Sequence, residues 1–163
     1  MIHDLETSAT HSVHKIPKPG RILAIDYGTK GTGLAITDPY QCIAYPLVAL
    51  STREIKPFLL EYTKKASVVA MVLGLPKDLR GNRPPIAKDI MQLGAYLHRQ
   101  YSPIPVYYHD ERFTSKMAIQ GLYQAGYNKK TRQDRGNIDK VSATIILQSF
   151  LNQRANDSGN KVP

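Results

Sequence analysis

Three acidic residues stand where apolar segments begin or end. Asp26 closes the run Ile22-Leu23-Ala24-Ile25, Glu111 lies three residues after the end of Val106-Tyr107-Tyr108, and Asp139 opens the last amphipathic segment. A carboxylate at the mouth of a buried strand loses hydration and needs a cation, a metal or backbone N–H groups to compensate it. Three carboxylates brought within a few ångströms repel one another, so such a cluster is stable only around bound cations. Oxygen-only ligands suit Mg²⁺ or Mn²⁺, which keep several waters and bridge to phosphate. Two such ions about 4 Å apart clamp the attacking water and the leaving oxygen of a phosphodiester. In this scheme Asp26, on a central strand, bridges both ions, and Glu111 and Asp139 each complete one. Simpler roles stand beside it: an Asx bond capping the turn for Asp26, an ion pair with Arg112 for Glu111, and a helix-dipole contact for Asp139.

Basic residues accompany the acids. Lys30 lies in the turn just after Asp26, placed to hold a scissile phosphate or to be a solvated turn lysine. Arg112 follows Glu111 directly and reads as a backbone contact or an ion-pair partner. The most polar internal stretch, NKKTRQDRGN from Asn128 to Asn137, carries Lys129, Lys130, Arg132 and Arg135 against the single acid Asp134. Across all 163 residues, 22 Lys and Arg outweigh 13 Asp and Glu, a formal charge of +9. That excess favours a polyanionic partner, nucleic acid rather than a membrane. The lone cysteine, Cys42, excludes an intrachain disulfide, and neither a secretory leader nor a membrane-length apolar run is present. A cytoplasmic address is expected on those grounds.

The elements that must position these groups follow from periodicity. Arg21 to Asp38 reads as a hairpin: an apolar strand, the Gly-rich turn Tyr27 to Gly33, and a second apolar strand. Gln41 to Leu50 is a third strand, at a sheet edge because Pro46 has no N–H for a ladder. A helix beginning near Lys56, with Pro57 at its first position, has Leu59, Leu60 and Tyr62 on its apolar side. Val68 to Leu73 (VVAMVL) is a central parallel strand covered on both faces. The basic loop Gly74 to Pro85 follows, then a helix in which Ile86, Ile90, Leu93 and Leu97 recur at helical spacing. Val106 to Tyr108 is the next strand. Thr114 or Ser115 caps a helix that Gly126 ends. The last helix spans about Ile138 to Gln153, with Val141, Ile145 and Leu151 along its apolar face and Ile146 and Phe150 beside it. The expected organisation is a disordered N-terminal tail over 1–20, one domain over 21–153, and a frayed tail over 154–163. The order β-β-β-α-β-α-β-α-α gives an α/β fold: a mixed five-stranded sheet, three antiparallel meander strands then parallel ones, with helices on both faces.

Three motifs in this order, ILAIDYGTKGTGLAITD, HDERFTS and IDKVSATIILQSFL, resemble the YqgF/RuvX family. MVLGLP before the central loop is a weaker fourth match, and the likeness runs from about Gly20 to Gln153. The resemblance implies an RNase H-like fold and a metal-dependent nuclease linked to 5′-end processing of pre-16S ribosomal RNA. It places the family's acidic positions on Asp26, Glu111 and Asp139. Mg²⁺ or Mn²⁺, as two ions, is the implied cofactor. A Holliday-junction-resolvase-like nuclease acting on branched DNA is an alternative, as is a module that binds structured RNA without cutting it. Trimming an RNA end suits a monomer, whereas resolving a junction needs a homodimer. An actin-type ATPase shares the D-x-G-T turn but needs two lobes, and the length supplies one.

Overall fold

A computed structural model describes residues 16–77, 80–110 and 135–159. Strand β1 (Arg21–Asp26) is followed by β2 (Gly31–Thr37), β3 (Ala44–Ser51), helix α1 (Ile55–Lys65), β4 (Val68–Leu75), α2 (Ile86–Gln100), β5 (Val106–Asp110) and α3 (Arg135–Gly159). The sheet order is β3-β2-β1-β4-β5. β1 pairs antiparallel with β2, and β2 with β3, while β4 runs parallel to both β1 and β5. This is the mixed five-stranded sheet of the RNase H-like expectation. β3 is the edge strand, with Pro46 in its interior. The helix expected between Thr114 and Gly126 lies outside the described residues.

Side-chain alternation sorts the core into two layers. Leu23 and Ile25 of β1, Met71 and Leu73 of β4, and Tyr108 of β5 pack with Ile55, Leu59, Ile90 and Leu97 of α1 and α2. Ile22, Ala24, Ala70, Val72 and Tyr107 pack on the other face, against Ala143, Ile146, Leu147 and Phe150 of α3. β4 therefore buries both faces, as its unbroken apolar run requires.

Several boundaries and faces differ from the sequence expectation. α1 starts at Ile55, so Pro57 is its third residue; the missing N–H falls in the first turn, where no intrahelical acceptor exists. Leu60 is exposed rather than on the apolar side. α3 begins at Arg135 and buries Ala143, Ile146, Leu147 and Phe150, while Val141 and Ile145 are half-exposed. The small residues Ser142 and Ala143 set that face by letting the helix approach the sheet.

Both tails join the body sooner than expected. Ile16 is buried in the α3-side core. Gln41, at φ 62°, donates from Nε2 to Pro17 O (2.7 Å) and Gly20 O (3.1 Å). At the other end Arg154 is helical and donates to Gln41 Oε1 (2.7 Å) and Gln41 O (3.1 Å). A buried polar side chain thus ties residues 17–20 to Arg154 of the last helix. Residues 1–15 lie outside the described residues.

Asp38 organises the turn from β2 to β3. Its carboxylate accepts from the N–H groups of Ile43 (2.8 Å), Cys42 (2.8 Å) and Tyr40 (3.1 Å). Those bonds, Ile43's foremost, hold its acid below the ordinary carboxylate range. A depressed folded pKa stabilises the fold above the unfolded value of about 3.9, and that contribution disappears as pH falls through the folded value. Asp38→Asn is therefore expected to melt earlier than the parent at pH 7, with the gap closing below about pH 4 in thermal melts across pH.

Candidate active site

The site is built at the C-terminal ends of the parallel strands. Along β1, Ile22 and Ala24 face α3, so the alternation carries Asp26 to the α3 side as well. Asp26 is half-buried and pairs in register with Gly33 of β2. Gly33 is where α3 meets the sheet: a Cβ there would overlap the Asp139 carbonyl and come within 2.9 Å of Lys140 N. A Cβ on Gly31 would lie 3.0 Å from Asp139 Oδ2. Glycines two apart on a strand share a face, and here that bare strip receives the helix. The backbone of Asp139 therefore sits on the cross-strand neighbour of Asp26, with its carboxylate over Gly31.

Asp139 is reached by the same stripe of α3 that enters the core, four residues before Ala143 and seven before Ile146. Because α3 starts at Arg135, Asp139 lies beyond the first turn, which holds no acid. A dipole contact, which fades within that turn, accounts poorly for it.

The turn from Tyr27 to Lys30 is held by threonines. Thr52 Oγ1 donates to Gly28 O (2.6 Å) and shares a 2.8 Å bond with the buried Thr32 hydroxyl. Thr52 N–H donates to Lys30 O (2.9 Å), and Gly28 N–H reaches Thr32 Oγ1 (3.4 Å). Lys30 is exposed beside Gly31.

β5 brings two further groups to this end. Ile25 pairs with Leu73 and Leu73 with Tyr108; one residue further on, Gly74 pairs with His109. His109 faces α3, where Nε2 lies 2.8 Å from Ser149 Oγ and the ring meets Phe150 edge-on. Burial pushes its pKa down, so the neutral imidazole is favoured. It reads as a packed strand-end histidine. Asp110 has the opposite parity and falls on the α1–α2 side.

The described residues thus join Asp26, Asp139 and the Lys30 turn. Glu111, Arg112, Lys129, Lys130 and Arg132 lie outside them, and Arg135 is described only as the first residue of α3. Among the described residues no group of three His, Cys, Asp or Glu side chains is arranged to hold a metal ion. None of their helices is long and apolar enough to cross a membrane. Sequence reading placed Gly31, Thr32 and Gly33 in the turn, whereas β2 begins at Gly31; the G-x-G spacing in GTGLAIT was the available signal for the glycine strip.

A family model described as RuvX, Holliday junction resolvase, matches residues 20–153. The chain belongs to the RuvX family. The matched span includes all of β1 to β5 and α3 as far as Gln153, and so both acids. A relative from Amoebophilus asiaticus, named "Putative pre-16S rRNA nuclease", is 47% identical over 132 residues, 81% of this chain and 94% of that one. One of the same name from Bacteroides fragilis is 43% identical over 131 residues, 80% of this chain and 95% of that one. Among solved structures, RuvC of Thermus thermophilus aligns with a TM-score of 0.49 and 15% identity, covering 83% of this RuvX chain and 96% of RuvC.

Proposed function

We propose that this RuvX protein is a metal-dependent endonuclease that hydrolyses phosphodiester bonds in structured RNA, in 5′-end processing of pre-16S rRNA. The observation that carries the reading is the seating of Asp139 on Gly33, the register partner of Asp26. Two acids more than a hundred residues apart in sequence thus come from neighbouring elements, Asp139 seated on the register partner of Asp26, at the end of the sheet where such folds bind ligands. The names of the relatives support the substrate.

The donor set fits Mg²⁺ or Mn²⁺: carboxylate oxygens, with bare glycine beneath one of them to leave room. Asp26 and Asp139 would hold the ions with Glu111, the acid next to Asp110 in the sequence. When bound, such ions polarise the phosphate and lower the pKa of water. The chain's own part is to fix the two carboxylates through the β1–β2 register and the threonine-held turn. Lys30 meets the phosphate beside them. Arg112, Lys129, Lys130, Arg132 and Arg135 hold the flanking backbone, and His109 keeps β5 docked on α3.

The test is Mg²⁺-dependent cutting of a pre-16S RNA fragment by the purified protein, with EDTA as control. Binding without turnover on any structured RNA would leave an RNA-binding module instead. The family description favours a second substrate, a four-way DNA junction. Junction cutting together with a dimer mass in solution would select it; RNA cutting by a monomer would exclude it.

Binding should be strongly salt-dependent. With four to six phosphate contacts, affinity is expected to fall about a hundredfold or more between about 50 and about 200 mM salt. A flat log–log slope in fluorescence anisotropy would remove nucleic acid from the account.

A further inference from the structure

On the opposite side of the sheet from Asp26 lies a cleft of about 370 Å³, between the start of α1 and the middle of α2. We infer that this cleft receives one unpaired base of the substrate strand, next to the bond to be cut. The inference rests on the nuclease reading and adds a subsite to it. Tyr27 and Tyr96 frame the cleft, with Arg53 and Lys56 on one wall and Asp89 and Gln92 on the other.

The cleft's chemistry selects this occupant. Both tyrosines are half-buried and line the cleft, and an aromatic ring stacks on any base. Lys56 Nζ sits 4.3 Å from the centre of the Tyr96 ring, so its charge is held at the cleft. Arg53 and Lys56 attract a phosphate to the α1 wall. Asp89 repels it from the α2 wall, where the carboxylate and the Gln92 amide, three residues apart on one helix face, meet the edge of a base. The volume is enough for one nucleoside.

The cleft is joined covalently to the acids. Tyr27 follows Asp26 and packs against the core on the α1–α2 side, so one backbone step separates the proposed metal side from the proposed base side. Thr52, which lines the cleft, bonds to Gly28 and Thr32 and so locks the turn carrying both. A strand crossing this sheet end places a phosphate at Asp26 and a neighbouring base beside Tyr27.

The test uses the full chain and a single-stranded RNA carrying 5-iodouridine at successive positions. Photocross-linking followed by peptide mapping is expected to label Tyr27 or Tyr96 from one position beside the cleavage site. Lys56→Glu and Gln92→Ala, both at exposed positions, should weaken oligonucleotide binding about tenfold and raise KM more than they lower kcat. Tyr96→Ala should do the same and abolish the cross-link. Asp26→Asn should lose cleavage and keep the cross-link. Cleavage by the parent with cross-links only elsewhere would overturn the base subsite and leave the nuclease standing. Cross-links at Tyr27 or Tyr96 in a parent that cuts no RNA would uphold the subsite and overturn the nuclease. If UMP alone binds as tightly as the oligonucleotide, the cleft is a free-nucleotide site and the inference fails.

Discussion

Asp26→Asn is expected to reduce Mg²⁺-dependent cleavage of structured RNA about a thousandfold or more while leaving the melting temperature almost unchanged. The two carboxylamide atoms match the carboxylate in shape, so the β1–β2 register with Gly33 survives. What is lost is the charge opposite a divalent cation. Several kcal/mol of transition-state stabilisation rest on such an ion, and about 4 kcal/mol corresponds to that factor. Full activity in Asp26→Asn would end the metal-site proposal. A large fall in melting temperature with unaltered metal binding would assign Asp26 to capping the turn.

Gly33→Ala is expected to destabilise the fold by about 2 kcal/mol or more and to remove most activity with it. The added methyl would meet backbone, the Asp139 carbonyl and the Lys140 nitrogen, neither of which can rotate away. Relief requires the start of α3 to lift from β2, and overpacking of this kind costs about 1–3 kcal/mol. In a chain of this size that corresponds to roughly a 5 °C drop in melting temperature. Lifting α3 also carries Asp139 away from Asp26, so activity should fall further than the loss of folded protein explains. Parent-like stability and cleavage in Gly33→Ala would show that α3 does not seat on this strand.

The parts of the fold legible in the sequence were those with a local cause. VVAMVL could be placed as a central strand because only a two-faced strand needs an unbroken apolar run. Pro46 marked the edge because a proline cannot donate to a second ladder. Asp26 stood out because a single acid ended a buried run at the start of a Gly-rich turn. The tails were misjudged because their anchors are distant: Gln41 reaches Pro17 on one side and accepts from Arg154 on the other. The face of α3 was misjudged because Val141 and Ile145 are apolar yet face away from the sheet, while Ser142 and Ala143 are buried for their size. The glycine strip beneath Asp139 has meaning only once α3 is docked on β2. The cleft between Tyr27 and Tyr96 likewise joins two segments whose proximity depends on α2 packing across the sheet from α3.

The central claim is that Asp26, Glu111 and Asp139 share one divalent-ion pocket, and direct titration of the protein with Mn²⁺ tests it independently of any substrate. Bound Mn²⁺ can be counted by electron paramagnetic resonance in the parent and in Asp26→Asn, Glu111→Gln and Asp139→Asn. The account predicts binding by the parent and a marked loss of affinity in each variant. Equal Mn²⁺ affinity in all four proteins, or none in the parent, would contradict it.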